Sequence, residues 1–272
     1  MNAINWSDWR IPDGKALDLS RLPTLPKASS ETDKLQWPAR MAVLAEELNR
    51  LQAMLYASKT RGLLLVLQGM DTSGKDGCIR TVFAHISPLG VRAEAFGVPQ
   101  ALEQRHDFLW RIHAKTPALG EMVIFNRSHY EDVLVPVVNG WITPEQTRQR
   151  LAHINDFERM LAETGTVILK CMLHISKDEQ RQRLQDRIDD PDKHWKFSRG
   201  DLDDRKQWDD YQRAYEVLLN ETSTPWAPWT VVPADSKIHR NLMIATLVRD
   251  TLKALNLRYP PEDLTLTGLR VP

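Results

Sequence analysis

Between Gly69 and Gly77 the chain reads Gly69-Met70-Asp71-Thr72-Ser73-Gly74-Lys75-Asp76-Gly77, which contains the spacing G-x-x-x-x-G-K. Glycines at that separation let the backbone fold around an anion so that successive amide N–H groups point inward. Lys75 adds a full positive charge, and a helix opening there adds the positive end of its dipole. Such a cradle binds phosphate, which makes Gly69, Thr72, Ser73, Gly74, Lys75, Asp76 and Gly77 candidate phosphate-binding residues. The position after the lysine is commonly Ser or Thr, a magnesium ligand; in this chain it is Asp76. A carboxylate among phosphates is repelled unless a cation intervenes, and the same holds for Asp71. Two acids in an anion cradle therefore imply a divalent metal, with magnesium favoured by its oxygen preference and manganese as the alternative. The competing reading is that either acid forms a salt link to a nearby arginine.

A second cluster runs Phe125-Asn126-Arg127-Ser128-His129-Tyr130-Glu131-Asp132. Arg127 suits a phosphate contact, because guanidinium matches phosphate oxygens in pairs. Asn126 is a weak metal ligand; the acids follow at Glu131 and Asp132. A helix start with acids near its positive end would explain those two acids and leave Arg127 unexplained. A third stretch, 181–206, is crowded with both charges. Most of it reads as a solvated face or mutual salt links. Arg183 and Arg187 are four apart and share a helix face, so a lid closing over a transferring phosphoryl group is the sharper reading.

These residues need a scaffold. The wholly apolar run 63–67 reads as a strand of the type buried on both sides in a parallel sheet, and 91–98, 122–125, 166–173 and 229–232 are further strand candidates. The phosphate loop directly follows the first run and opens a helical pattern at Lys75. Thr143, Pro144 and Gln146 read as an N-cap, first helical residue and capping box, with Gly165 as the stop. Ser176 and Glu179 read as a second capping box. Alternating strands and helices predict an α/β fold, a central five-stranded parallel sheet with helices on both faces. Residues 1–32 read as an extended arm, and 33–272 as one domain carrying the charged insertion. Met41, Leu44, Ala45, Leu48, Leu51 and Leu55 form one helix face, suited to core packing or to oligomerisation.

The 272 residues carry 36 Lys plus Arg and 36 Asp plus Glu, which argues against a globally basic nucleic-acid binder. Only Cys78 and Cys171 could form a disulfide or bind soft metals, and both sit in apolar segments as reduced core thiols would. No apolar run is long enough to span a bilayer, and no signal-peptide pattern opens the chain. The expectation is a cytoplasmic protein with no membrane or nucleic-acid partner.

The 69–77 loop, the 125–134 run, His194-Trp195-Lys196-Phe197-Ser198, and Asp201-Leu202-Asp203-Asp204-Arg205 with Trp208 together resemble the family-2 polyphosphate kinases. The resemblance covers residues from about 35 to 255. It implies a P-loop kinase fold with a helical lid, and magnesium-dependent phosphoryl transfer between inorganic polyphosphate and a nucleotide, commonly toward the triphosphate. It also implies a homo-oligomer, dimer or tetramer. Carried onto this chain, it implies catalytic roles for Asp71, Lys75, Arg127, Glu131 and Asp132. Metal would sit on Asp71 and Asp132, nucleotide on Asn126, Arg127 and Glu131, and phosphate chains on the loop, Arg183 and Arg187. Glu131 with Asp132 resembles the subgroup that accepts both mono- and diphosphates, so ADP/ATP and AMP are expected partners, with GDP/GTP a further pair. Two rivals stay open: an ATP-dependent nucleotide or metabolite kinase of the same fold, and a non-catalytic phosphate- or RNA-binding module.

Overall fold

A computed structural model describes residues 6–11, 16–25 and 31–271. The elements α1 (Glu31–Ser58), β1 (Gly62–Gln68), α2 (Lys75–Val82), β2 (Val91–Ala95), α3 (Trp110–His113), β3 (Met122–Asn126), α4 (Glu131–Val138) and α5 (Pro144–Glu163) come first. They are followed by β4 (Thr166–His174), α6 (Lys177–Asp189), α7 (Gly200–Lys206), α8 (Trp208–Thr222), β5 (Trp229–Pro233) and α9 (Lys237–Ala254). The five strands form one parallel sheet in the order β2-β3-β1-β4-β5. β1 is central and every residue of it is buried, as its unbroken apolar run requires.

Helices α1, α2 and α9 pack together against one side of the sheet, and α4, α5 and α8 against the other. The two-residue period of β4 divides its side chains between these layers. Lys170 bonds to groups on α5 and α8, whereas Cys171 lies near Cys78 of α2. The apolar face of α1, with Leu44, Ala45, Leu48, Leu51 and Leu55 buried, packs on α9 of the same chain. Core packing thus uses the face that could have served oligomerisation.

The end signals of α5 are realised: Thr143 accepts from the Gln146 N–H, Gln146 returns the bond, and Gly165 follows at φ +105°. Only half of the second capping box forms. Ser176 accepts from the Glu179 N–H, but the Glu179 carboxylate turns to Arg183 Nε at 2.7 Å. β2 is shorter than its pattern: after Ala95 the chain leaves the sheet, and Val98 is exposed. Within the described part of the first 32 residues, the Ile11 N–H bonds to the Trp229 carbonyl, and Ile11 and Leu19 are buried. Pro12 and Pro26 lie outside the described residues. Among the described residues no helix is long and apolar enough to cross a membrane.

Candidate active site

The carboxyl ends of β1 and β3 lie side by side, with Leu67 paired to Asn126. Open α/β sheets bind ligands beyond such ends. A cleft of about 520 Å³ opens there, lined by the phosphate loop, Phe96, Gly97, Asn126, Arg127, Arg187, Trp195, Lys196 and Asp201 among others.

Backbone geometry explains the loop sequence. Gly69 sits at φ +149°, and a Cβ there would lie 2.6 Å from the Leu173 carbonyl oxygen. Gly74 sits at φ +99°, just before the first residue of α2. Thr72 and Arg127 hold φ +63° and +61°, a conformation that costs free energy for residues with a Cβ and clusters at functional sites. The hydroxyls of Thr72 and Ser73 are buried without a hydrogen-bond partner. Buried polar atoms of that kind are rare, and two in one loop suit an anion or its hydrated metal.

Lys75 is buried and arches back over the loop, its Nζ donating to the carbonyls of Gly69 (2.7 Å) and Met70 (3.3 Å). Burial pulls its pKa below the ordinary lysine value, with Asp71 opposing. Asp71 accepts from Arg127 Nη2 at 2.7 Å. Burial alone would raise the Asp71 carboxyl; Lys75 and Arg127 outweigh it, so the net shift is downward and the group is ionised at neutral pH. Asp76 accepts from Asn126 Nδ2 at 2.6 Å. A salt link therefore describes Asp71, and an amide link describes Asp76.

The two neighbouring acids of α4 part company. Glu131 faces Arg127, Lys75 and Asp71; burial pushes its pKa up, against the pull of Arg127 and Lys75. Asp132 points elsewhere, to Arg111 Nη2 at 3.0 Å, and its backbone carbonyl accepts from Arg150. The expectation that Asp132 holds metal is corrected: successive helix residues are about 100° apart, and in α4 it is Glu131 that faces the loop.

Arg183 needs a correction too. It is buried, and its guanidinium is committed to the carbonyls of Thr72 (2.9 Å), Ser73 (3.2 Å), Ala234 (2.7 Å) and Asp235 (3.0 Å) and to Glu179. It lines the cleft, but its five N–H groups are all committed to the loop, to the Ala234 and Asp235 carbonyls and to Glu179, which leaves no donor for a phosphate chain. Arg187, one turn on, borders the cleft, bonded to the Lys196 carbonyl (2.9 Å) and Asp201 (3.2 Å). Asp204 of α7 approaches Asp71 and accepts from Tyr211 at 2.9 Å; burial and Asp71 push its pKa up. Sequence reasoning gave Asp204 and Tyr211 no role, although Asp204 lies in the 201–205 motif. It missed Arg240, which reaches the Ser73 carbonyl from α9, because nothing local marks a contact across that separation.

Among the described residues no group of three or more His, Cys, Asp or Glu side chains forms a ready metal cage. Magnesium does not need one. It is usually held by one or two carboxylates, with waters and substrate phosphate oxygens completing the shell. Asp71 and Glu131 beside the unpartnered loop hydroxyls fit that demand.

A family model described as polyphosphate kinase 2 matches residues 31–260. An AMP/ADP-polyphosphate phosphotransferase of Meiothermus ruber is 50% identical over 93% of this chain and 94% of its own. An ADP-polyphosphate phosphotransferase of Rhodopseudomonas palustris is 39% identical over 94% and 93%. The crystal structure of polyphosphate kinase 2 from Arthrobacter aurescens TC1 superposes with a TM-score of 0.89 at 43% identity, covering 94% of this chain and 92% of that one. The fold thus has its match along nearly the whole chain, and this chain belongs to the polyphosphate kinase 2 family.

Proposed function

We propose that this chain moves a phosphoryl group between inorganic polyphosphate and ADP, GDP or AMP, mainly toward the triphosphate. The observation that carries this reading is the 50% identity, over nearly both full chains, to a relative named for AMP, ADP and polyphosphate. The cleft supports it. In the forward direction a β-phosphate oxygen of ADP attacks the terminal phosphorus of polyphosphate. The P–O bond to the next phosphate breaks, and the chain leaves one unit shorter. Both partners are anions and no covalent enzyme intermediate is needed; charge neutralisation and alignment supply the catalysis.

Lys75 and the loop hold one phosphate chain. Arg127 and Arg187 border the space where charge moves, and Asn126 keeps Asp76 in place. Asp71 and Glu131 would hold a divalent metal, magnesium by preference, and that ion would offset the negative charge of the phosphates. Phosphotransferases of this family generally need such a metal. Nucleotide substrates and two buried free thiols, with Cys78 pushed up to about 12 by burial, support a cytoplasmic setting. A homo-oligomer remains part of the reading, through a surface other than the α1 face.

The test offers the purified protein polyphosphate with AMP, ADP or GDP and no other donor. Formation of ADP, ATP and GTP respectively supports the reading. Product that appears only when ATP is the donor overturns it in favour of an ordinary nucleotide kinase.

A further inference from the structure

Arg240 lies in the first turn of α9 and is 2% exposed. Its Nη1 donates to the Ser73 carbonyl at 3.1 Å, and Nε and Nη2 donate to Asn241 Oδ1 at 3.1 and 2.9 Å. The guanidinium lies against the underside of the phosphate loop. A Cβ on Gly74 would fall 1.8 Å from Nη1, and one on Gly77 would fall 3.6 Å from Nη2. Among the described residues no carboxylate pairs with it. Arg183, also buried against the loop, has Glu179. The Ser73 carbonyl thus accepts from two arginines carried by two different helices.

A guanidinium stays charged in proteins, and a buried charge without a counter-ion is strongly unfavourable. Holding one carbonyl does not require that charge; a neutral amide donor would serve. Burial and the like charge of Arg183 both oppose it. A bound anion on the other side of a thin, glycine-rich loop would offset it, because the intervening protein screens little.

We propose that Arg240 is a positioning residue of the phosphate site, holding the Ser73 carbonyl outward and supplying from beneath Gly74 a buried positive charge whose counter-ion is the bound phosphate chain. This rests on phosphate binding in the loop and is independent of which nucleotide accepts the phosphoryl group.

The probe is tripolyphosphate, titrated calorimetrically into full-length protein at several salt concentrations. Arg240→Gln keeps a donor and removes the charge; Arg240→Lys keeps the charge and loses the fork. We expect Arg240→Gln to weaken tripolyphosphate at least about tenfold and to lower the slope of log Kd against log salt by about one unit, by analogy with phosphate contacts in nucleic-acid binding. Arg240→Lys should lie within about threefold of the parent and keep the slope. A merely structural role predicts lower melting temperatures in both variants with parental affinity in the folded protein, and that result overturns the proposal. Equal weakening by Gln and Lys overturns the role of the charge. If Arg240→Gln does not fold, Arg240→Met takes its place as the charge-removing variant: weakening of about tenfold or more with a slope lower by about one unit supports the proposal, and affinity within about threefold of the parent overturns it. Parent protein that binds tripolyphosphate but transfers nothing to ADP removes the functional reading and leaves this inference standing.

Discussion

Glu131 is held in a place that suits chemistry better than stability. Burial raises its pKa above the 4.5 of a free side chain, so between 4.5 and the raised value the folded protein binds more protons than the unfolded one. Stability must then fall as pH rises through that window and stay lower above it. Glu131→Gln removes the penalty. In EDTA it should raise the melting temperature at pH 7–8, with a gain that shrinks as pH is lowered toward 4.5, while phosphoryl transfer drops. Calorimetric melting across pH checks the first part, and initial rates check the second. Burial raises the pKa of Asp132 as well, against the pull of Arg111, so the two acids differ in their partners and not in the direction of their shifts. Asp132 pairs with the buried Arg111 at 3.0 Å, and Asp132→Asn, which leaves that guanidinium short of its counter-charge, should cost about 1–3 kcal/mol in urea unfolding. The metal concentration needed for half-maximal rate should stay unchanged. A higher metal requirement in Asp132→Asn would make Asp132, rather than Glu131, the acid of α4 that holds the metal.

The segment joining β3 to α4 carries Arg127 and leads into Glu131, the first residue of α4, and it is anchored from below by a buried ionic cluster. Lys170 of β4 donates to Glu158 of α5 (2.6 Å), to the Tyr130 hydroxyl (2.8 Å) and to the Thr222 carbonyl of α8 (2.7 Å). Tyr130 and His129 also bond Glu158, at 2.7 and 3.2 Å. Lys170 and Glu158 are fully buried, so breaking the pair leaves an uncompensated charge. Lys170→Met should cost about 3–5 kcal/mol. The double variant with Glu158→Gln should recover most of that loss in urea unfolding. A loss that the second substitution does not relieve would mean packing, not charge, dominates the cluster.

Element by element, much was legible. Apolar runs marked β1, β3, β5 and most of β4, whereas β2, Val91-Arg92-Ala93-Glu94-Ala95 at the sheet edge, alternates and is only partly buried. Thr143-Pro144 and the Lys75 start were fixed by cap and loop chemistry. What failed to show was which way a face points. Arg183 and Arg187 share a helix face by spacing and both line the cleft, yet the guanidinium of Arg183 is taken up by Glu179 and four backbone carbonyls. Glu131 and Asp132 are adjacent, and only the docking of α4 on α8 and α5 decides which one meets the loop. Lys170 sits in an apolar strand, and no local pattern announces partners on two other helices.

The whole molecule has no net charge, but the cleft at the carboxyl ends of the strands gathers Lys75, Arg127, Arg183, Arg187, Lys193, Lys196 and Lys237, an excess of cations over its lining acids Asp71, Asp76, Asp186 and Asp201. Local concentration of cations, not global basicity, is what a polyanion meets there. The central claim is that this cleft transfers phosphoryl groups directly between polyphosphate and a nucleotide, with Lys75 stabilising the charge that moves. Removing a charge contact of this kind typically costs on the order of 100-fold or more in rate. The most direct measurement follows polyphosphate and ADP by phosphorus NMR, with no other donor, for the parent protein and for Lys75→Ala of unchanged circular dichroism. The account predicts ATP signals that grow as polyphosphate is consumed, one phosphoryl group per ATP, and a rate in Lys75→Ala lower by about 100-fold or more. No ATP from the parent protein, or near-parental turnover in folded Lys75→Ala, would contradict it.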